Sequence, residues 1–385
     1  MSDLRLDHVE FHVADLEQQV KLWTRRYGFR TVGRSGSPEQ GFRSVVVRQG
    51  AISLVLTEGL SPAHPAHAYV RAHGDGVANI VLRTSDTHAA FEAAARAGAR
   101  LLAPPNRHDR DKDVILATLA SGMDDIVLTL LERGQPTAGA SETPALPPGF
   151  DPEGAVDRTT SLPRDIAGEP AEADNRTGLL AIDHFAVCVR PGQMTALTDF
   201  YIQAFGFREI YEERINVGGQ AMLSKVVQSA SKSITFTVIE PDRTADPGQI
   251  DAFLAGHGGS GVQHIAFSSG NVVASVSALA ERGVAFLPTS DLYYGLLSRR
   301  VPVTHHPLGQ LRRLGILADE DHDGQLFQIF TRSVHPRRTI FFEVIERCGG
   351  TAFGSANIKA LYEVVELERL RHQADAAAKE QERSK

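Results

Sequence analysis

Three residues of the types that bind divalent metal ions occur inside apolar strand-like segments in the second half of the chain. His184 lies in IDHFAV, His264 in GVQHIAF and Glu343 in TIFFEVIER. A lone histidine in a strand is more often a satisfied core or surface residue than a ligand, and a lone glutamate more often points outward. Together, two imidazoles and one carboxylate form the ligand set of a non-haem Fe(II) oxygenase, which leaves one face of the metal open. We therefore predict a metal centre at these three residues.

An internal repeat provides a control for this prediction. LDHVEFHVADLEQQVKLWTRRYGFRTVGR aligns with IDHFAVCVRPGQMTALTDFYIQAFGFREIYE, and GDGVANIVLRTSD aligns with GSGVQHIAFSSGN. The residues aligned with the three predicted ligands are, in the same order, His8, Asn79 and Thr129. Both halves keep the apolar strands, but only the second keeps the ligand set, and a purely structural role predicts no such asymmetry. The first half is interpreted as a metal-free copy.

The repeat also predicts the fold class and the domain organisation. In each half, the pattern of a strand, a short helix and further strands occurs twice, which predicts an α+β fold of four βαβββ modules. A segment rich in Pro, Gly, Ser, Thr, Asp and Glu separates the halves. The predicted organisation is a metal-free domain at 1–133, a linker at 134–178, a metal-binding domain with a terminal helix at 179–375 and a polar tail at 376–385.

Composition excludes several classes of function. The 385-residue chain has a formal net charge of −7 and no block of Lys or Arg, which argues against a nucleic-acid partner. It has no apolar run long enough to span a membrane, and MSDLRLDHVEF lacks the pattern of a signal peptide. Two cysteines cannot form a disulfide framework. These features predict a cytoplasmic protein without membrane partners.

The segments IDHFAV, GVQHIAF, QLFQIFT, FFEVIER and FGSANIKALYE occur in this order and resemble the 4-hydroxyphenylpyruvate dioxygenase family of the vicinal-oxygen-chelate superfamily. The resemblance covers nearly the whole chain. It implies a glyoxalase-like open barrel in each half and Fe(II) held by His184, His264 and Glu343. It also implies 4-hydroxyphenylpyruvate and O₂ as substrates, with the α-keto acid of the substrate chelating the iron. Relatives associate through the metal-free half, which predicts a homodimer.

Two departures from the dioxygenase pattern predict which product forms. Some family members oxidise the aromatic ring to homogentisate, whereas a sister branch hydroxylates the benzylic carbon to give 4-hydroxymandelate. Thr237 and Ile239 in TVIEP replace a Pro and an Asn, and Ile358 in FGSANI replaces a Phe. Both changes are similar to the mandelate-forming pattern. A smaller, β-branched residue at 358 leaves space for the substrate ring to swing away, so that the benzylic C–H meets the reacting oxygen.

We therefore expect benzylic hydroxylation, in a pathway to 4-hydroxyphenylglycine for a peptide antibiotic. The alternatives are a homogentisate-forming dioxygenase and a non-catalytic binding protein of the same superfamily. The resemblance implies direct catalytic roles for Ser224, Gln328 and Ile358. Gln263 precedes His264 in its strand and is expected to face the opposite side. The substrate-binding residues implied by the resemblance are Ser224, Thr237, Ile239, Gln249, Gln328, Phe330, Phe341, Phe353, Asn357 and Ile358.

Overall fold

The computed structural model describes residues 4–134, 145–153, 177–351, 357 and 359–360. The predicted pocket residues Phe353 and Ile358, most of the predicted last helix and the predicted tail lie outside these ranges. Among the described helices, none is both long and apolar enough to cross a membrane.

The described part of the first half forms one nine-stranded sheet with short helices. Its elements are β1 (Arg5–His12), α1 (Leu16–Lys21), a π-helical turn (Leu22–Arg26), β2 (Arg30–Ser35), a 3-10 turn (Pro38–Gln40), β3 (Phe42–Gln49), β4 (Ile52–Gly59), α2 (Pro65–His73), β5 (Gly76–Arg83), α3 (Thr87–Arg96), β6 (Leu101–Arg107), β7 (Val114–Ala120), β8 (Val127–Arg133) and β9 (Asp151–Pro152).

The described part of the second half forms an eight-stranded sheet. Its elements are β10 (Leu179–Cys188), α4 (Met194–Phe205), β11 (Arg208–Val217), β12 (Gln220–Gln228), β13 (Thr235–Pro241), α5 (Gln249–His257), β14 (Gly261–Ser269), α6 (Val272–Glu281), α7 (Asp291–Arg300), α8 (Leu308–Leu314), β15 (Leu317–Glu320), β16 (Gln325–Phe330) and β17 (Phe341–Cys348).

Each half consists of two βαβββ modules, so the predicted α+β fold class is confirmed. The first and last strands of a module are parallel neighbours, as in β10 beside β13 and β14 beside β17. Two modules meet through their first strands, β1 with β5 and β10 with β14, which are antiparallel. The first strands therefore lie at the centre of each sheet. The strand orders are β6-β7-β8-β5-β1-β4-β3-β2-β9 and β11-β12-β13-β10-β14-β17-β16-β15.

Local sequence signals begin and end the equivalent helices of the two halves in the same way. The side chains of Asp86 and Asn271 accept hydrogen bonds from the backbone N–H three residues on, which caps α3 and α6. Gly98 and Gly283 follow these helices with φ of 85° and 83°, a conformation that glycine adopts without a steric penalty. Both helices therefore stop at corresponding positions before the next strand begins.

The central strand pairs carry β-bulges at equivalent positions in both halves. In β10 the extra residue is Asp183, and in β14 it is Gln263; the equivalents in β1 and β5 are Asp7 and Ala78. A bulge interrupts the alternation of side chains along a strand. The expectation that Gln263 faces away from His264 assumed regular alternation, which does not hold at this bulge. The Oε1 atom of Gln263 is buried without a hydrogen-bond partner among the described residues.

One apolar core joins the two halves. The ring of Trp23, which is 1 % exposed, packs 4.9 Å from the ring of Phe342 and 6.1 Å from that of Phe267. A separate apolar cluster covers the face of the second sheet that points away from this core, which is called the inner face below. It consists of Ala186, Cys188, Ile215, Val217, Met222, Ile239, Ile250 and Phe253. The inner face of the second half is therefore distinct from the surface that packs on the helices and on the first half.

Part of the segment predicted as a linker is incorporated into the first sheet. Its strand β9 pairs with β2, and the Arg34 side chain donates to Glu153. At the far end of this segment, the backbone of Thr177 donates to the side chain of Gln49. The sequence analysis did not anticipate these contacts, because a two-residue strand has no hydrophobic period. The domain boundaries stay a prediction, although β8 ends at Arg133 and β10 begins at Leu179.

Candidate metal centre

Three adjacent central strands, β10, β14 and β17, bring the predicted ligands together. In register, Ala266 of β14 lies opposite His184 on one side and opposite Glu343 on the other. Residues opposite one another in neighbouring strands point to the same face of a sheet. His264, two residues before Ala266, points to that face as well. Strand pairing thus places three side chains that are distant in sequence on one surface.

The ligand atoms converge on one point. The Nε2 atoms of His184 and His264 each lie 3.4 Å from the same oxygen, Oε2 of Glu343. One ligand atom from each residue lies within 4.8 Å of the other two. Separations of 3.4 Å are long for charge-assisted hydrogen bonds, which prefer about 2.7–2.9 Å. The spacing suits three ligands arranged around one cation.

The site is buried and contains ionised groups. Glu343 is 1 % exposed. Burial works to raise the pKa of Glu343, but the charges and hydrogen bonds of His184 and His264 lower it to about 2. Burial works to lower the pKa of His184, but Glu343 and Asp183 raise it to about 9, whereas burial lowers the pKa of His264. A carboxylate held ionised in this environment is a favourable ligand for a cation.

Two buried polar atoms at the site lack hydrogen-bond partners among the described residues. They are Oε1 of Glu343 and Nδ1 of His264. An unpaired carboxylate oxygen with almost no exposure is costly unless an ion or a ligand compensates it. Two imidazole nitrogens and one carboxylate are the facial set that holds non-haem iron with open positions. The residues present therefore fit a divalent metal ion.

Two residues that the sequence analysis missed orient one of these ligands. The Nδ1 atom of His184 lies 2.9 Å from Oδ1 of Asp183, and Arg347 donates to both oxygens of that carboxylate at 2.8 Å each. Burial works to raise the pKa of Asp183, but Arg347 and His184 hold it well below its usual range. When a metal displaces the proton of Nε2, an anionic Asp183 holds the remaining proton of His184 on Nδ1.

A signal for this pair was present in the repeat. An Asp precedes the first-strand His in both halves, as Asp7 and Asp183, and an Arg lies at or next to the end of the last strand of each, as Arg133 and Arg347. Arg133 lies 3.4 Å from Asp7. The repeated residues were visible in the alignment, but their contact depends on strand pairing across more than 100 residues.

Two aromatic side chains form a wall beside the metal ligands. The ring of Phe341 stacks on the ring of His264, with centroids 4.8 Å apart and an interplanar angle of 26°. Phe330 meets the same imidazole edge-on at 5.8 Å. Both were predicted as pocket residues, and the structure places both against a ligand ring. They shield His264 from water on these sides.

The predicted amides Gln328 and Asn357 are linked to each other. Gln328 is 2 % exposed and Asn357 is fully buried. The Nδ2 atom of Asn357 donates to Oε1 of Gln328 at 3.3 Å, and the hydroxyl of Tyr293 donates to Oδ1 of Asn357 at 2.7 Å. Tyr293 was not predicted, because α7 has no counterpart in the first half and no motif marks it. The network sets the orientation of the Gln328 amide.

The other predicted pocket residues lie on β12, β13 and α5. Ser224 is buried opposite Ile239, whose side chain belongs to the inner-face cluster. Thr237 lies opposite Ala186 of β10 and is therefore on the same face, where its buried Oγ1 has no hydrogen-bond partner among the described residues. Gln249 is the first residue of α5 and is half-buried.

The comparisons with known proteins agree with this architecture. Models of the glyoxalase/bleomycin resistance protein/dioxygenase superfamily match residues 7–116 and 181–329. A 4-hydroxyphenylpyruvate dioxygenase of Dictyostelium discoideum is 29% identical over 94% of this chain and 96% of its own. A probable 4-hydroxyphenylpyruvate dioxygenase of Aspergillus fumigatus is 30% identical over 95% of this chain and 93% of its own.

A solved structure resembles the chain over its whole length. It is a triple mutant of 4-hydroxymandelate synthase from Streptomyces coelicolor, with a TM-score of 0.81 and 39% identity over 96% of this chain and 100% of that chain. The resemblance inferred from the sequence motifs is thereby confirmed. With these relatives and this fold, the chain belongs to the 4-hydroxyphenylpyruvate dioxygenase family of the glyoxalase/bleomycin resistance protein/dioxygenase superfamily.

Proposed function

We propose that the protein is an Fe(II)-dependent enzyme that converts 4-hydroxyphenylpyruvate and O₂ to 4-hydroxymandelate and CO₂. The observation that carries the proposal is the buried convergence of His184, His264 and Glu343. When bound there, iron would supply the positions at which the keto acid and O₂ meet and the redox chemistry of decarboxylation and hydroxylation.

The protein residues around the metal have separate tasks in this proposal. His184, His264 and Glu343 hold the ion, and Glu343 balances one of its positive charges where water is nearly excluded. Asp183 holds the proton on the distant nitrogen of His184. Phe341 stacks on His264 and shields it from water.

The inner face offers polar groups to the substrate. Because Asn357 donates to Oε1 of Gln328, the Nε2 group of Gln328 is directed to donate to a substrate oxygen. The buried hydroxyl of Thr237, which has no partner among the described residues, is a second group for a bound ligand. Ser224 lies on the neighbouring strand and is proposed to face the same pocket. Together these side chains would orient the arylpyruvate relative to the metal.

Two observations support benzylic hydroxylation over homogentisate formation. Thr237 and Ile239 line the inner face where the dioxygenase pattern has a Pro and an Asn. The 4-hydroxymandelate synthase structure is 39% identical to this chain, compared with 29% and 30% for the two dioxygenases. Ile358 is the third replacement and lies outside the described residues.

A product assay tests this choice. The purified protein, reconstituted anaerobically with Fe(II) and then supplied with 4-hydroxyphenylpyruvate and O₂, should give mainly 4-hydroxymandelate by mass spectrometry and NMR. Ile358→Phe should shift the product toward ring oxidation, whereas Ile358→Leu, which conserves volume, should retain the native ratio. Homogentisate as the main native product would reject the proposed branch. No O₂ consumption at all would favour the non-catalytic binding protein.

The product would serve as a precursor of 4-hydroxyphenylglycine for a peptide antibiotic, which loss of the gene and analysis of the secreted peptides would test. The homodimer implied by the resemblance stays a prediction, and sedimentation equilibrium would determine it.

A further inference from the structure

A cavity of about 630 Å³ lies between the two halves. Its walls come from α1 and the π-helical turn of the first half, and from the second half's segment 331–340, which connects β16 with β17, together with the first two residues of β17. Small-molecule sites typically have volumes of about 300–1,000 Å³ and often lie where two domains meet. Phe341 contributes to the wall, so the cavity adjoins the candidate metal centre without being part of it.

Aromatic and aliphatic side chains make up one side of the cavity. The rings of Trp23 and Tyr27 lie 4.9 Å and 5.4 Å from the ring of Phe342, in edge-to-face geometry. These rings are buried, so the accessible apolar surface of the cavity comes from partly exposed residues that pack on them, such as Leu22 and Ile340. Such a surface favours a planar aromatic ring over a strongly hydrated ligand.

The carboxylates that line the cavity already have partners. Asp15 caps α1 by accepting a backbone hydrogen bond. Asp75 accepts from the side chain of Gln19 at 2.9 Å, and Glu17 lies 3.5 Å from the ammonium of Lys21. These acidic groups are therefore engaged within the protein.

Two arginines of the lining are available. Arg25 and Arg26 are exposed residues at the end of the π-helical turn, and no hydrogen bond or ion pair of either guanidinium with another described residue is found. Both side chains border the cavity. π-Helical turns of this kind occur frequently at functional sites. Guanidinium groups bind carboxylates through paired, charge-assisted hydrogen bonds.

We propose that this cavity is a second ligand site, which binds a small aromatic carboxylate. The ring packs against the partly exposed side chains of Leu22 and Ile340, which cover the buried rings of Trp23 and Phe342, and the carboxylate is bound by Arg25 and Arg26. This inference concerns binding between the halves and goes beyond the proposed function, because it requires neither the metal nor turnover.

The single tryptophan of the chain, Trp23, reports directly on this cavity. Metal-free protein is titrated with 4-hydroxyphenylacetate, which lacks the chelating keto group, while tryptophan emission is excited at the red edge where phenols do not absorb. We expect a saturable change in emission. Arg25→Gln and Arg26→Gln should each weaken binding about tenfold, because each removes one charge-assisted hydrogen bond to the ligand. The double variant should weaken it further.

Two controls test whether the cavity arginines and the ligand carboxylate are responsible for binding. Arg30→Gln removes an exposed arginine from β2 that does not line the cavity and should leave the affinity unchanged. The neutral amide, 4-hydroxyphenylacetamide, should bind about tenfold more weakly than the acid, because it lacks the anionic charge. The proposal is overturned if Trp23 emission shows no saturable change. It is also overturned if the Arg25 and Arg26 variants bind the acid as tightly as the native protein does, or if the native protein binds acid and amide equally. Because this binding does not depend on turnover, failure of the proposed reaction would be a separate result.

Discussion

The two halves of the chain pair their central strands in the same register, yet among the residues that the structure describes only the second half brings two histidines and a glutamate together at this position. Asn79 lies opposite Glu10 as His264 lies opposite Ala186. The bulges and the Asp–His contact also recur, with Nδ1 of His8 2.8 Å from Asp7. The geometry that gathers the ligands is therefore a property of the fold, and the side chains at three positions decide whether a metal binds.

The first half compensates its buried histidine internally. Glu10, at the position of Ala186, brings Oε1 to 3.3 Å from Nε2 of His8. Asn79 donates to the hydroxyl of Thr129 at 2.9 Å. Burial works to lower the pKa of His8, but Asp7 and Glu10 raise it. Burial works to raise the pKa of Glu10, but His8 and Asn79 lower it. Glu10 and His8 thus compensate each other's charge within the protein, without a metal ion.

The largest expected effect comes from removing the carboxylate ligand. Glu343→Gln should reduce bound iron from about one per chain to near none and lower turnover more than about 100-fold, because the site loses its anionic ligand. The matched change in the first half, Thr129→Val, should leave both unchanged. Metal analysis after dialysis and O₂ uptake measure the two effects. Full iron retention in the Glu343 variant would remove this residue from the ligand set.

Transplanting the ligands should abolish the difference between the halves. A variant with Glu10→Ala, Asn79→His and Thr129→Glu reproduces the residues at Ala186, His264 and Glu343 in the same register. We expect about two Co(II) ions per chain, measured by titration and absorbance, since equivalent strands present equivalent ligands. Stoichiometry that stays at one in a folded variant would show that the backbones of the halves differ at the site.

An intermediate effect is expected from the residue behind His184. Asp183→Asn should weaken metal affinity about 10- to 100-fold, because the His184 tautomer loses its anionic partner. Asp7→Asn makes the same change in the first half and should leave metal affinity unchanged. Competition with a coloured chelator measures both. Equal affinities for the two variants would mean that the Asp–His contact serves only the fold.

The smallest effect concerns the His8–Glu10 pair. Glu10→Gln should destabilise the protein by about 1 kcal/mol, measured by urea unfolding. The raised pKa of His8 contributes stability that is complete below its ordinary value of 6.5 and is lost as pH rises through the folded value. The lowered pKa of Glu10 contributes stability above its ordinary value of 4.5. The difference in unfolding free energy between the variant and the native protein should therefore be greatest between pH 4.5 and pH 6.5 and should shrink at alkaline pH. A pH-independent difference would contradict this origin.

Sequence reasoning recovered the parts of the site that the repeat displays. Aligning the halves identified His184, His264 and Glu343 as a set that is complete in one copy only, since His8 alone matches it in the other, and periodicity identified the modules. It missed Arg347 and Tyr293, because their roles depend on contacts with Asp183 and Asn357 over long sequence separations. It also assumed regular alternation at Gln263, where a bulge intervenes.

The amino-acid sequence by itself determined the module order, the family and the types of the three ligands, because strands, caps and repeats depend on local patterns of residues. Only the tertiary structure decided that the ligands converge within 4.8 Å, that Asp183 bridges His184 and Arg347, and that Trp23 borders a cavity between the halves. These features arise from the register of strands that are far apart in the chain. A shift of one residue in that register would turn each side chain to the other face of its sheet.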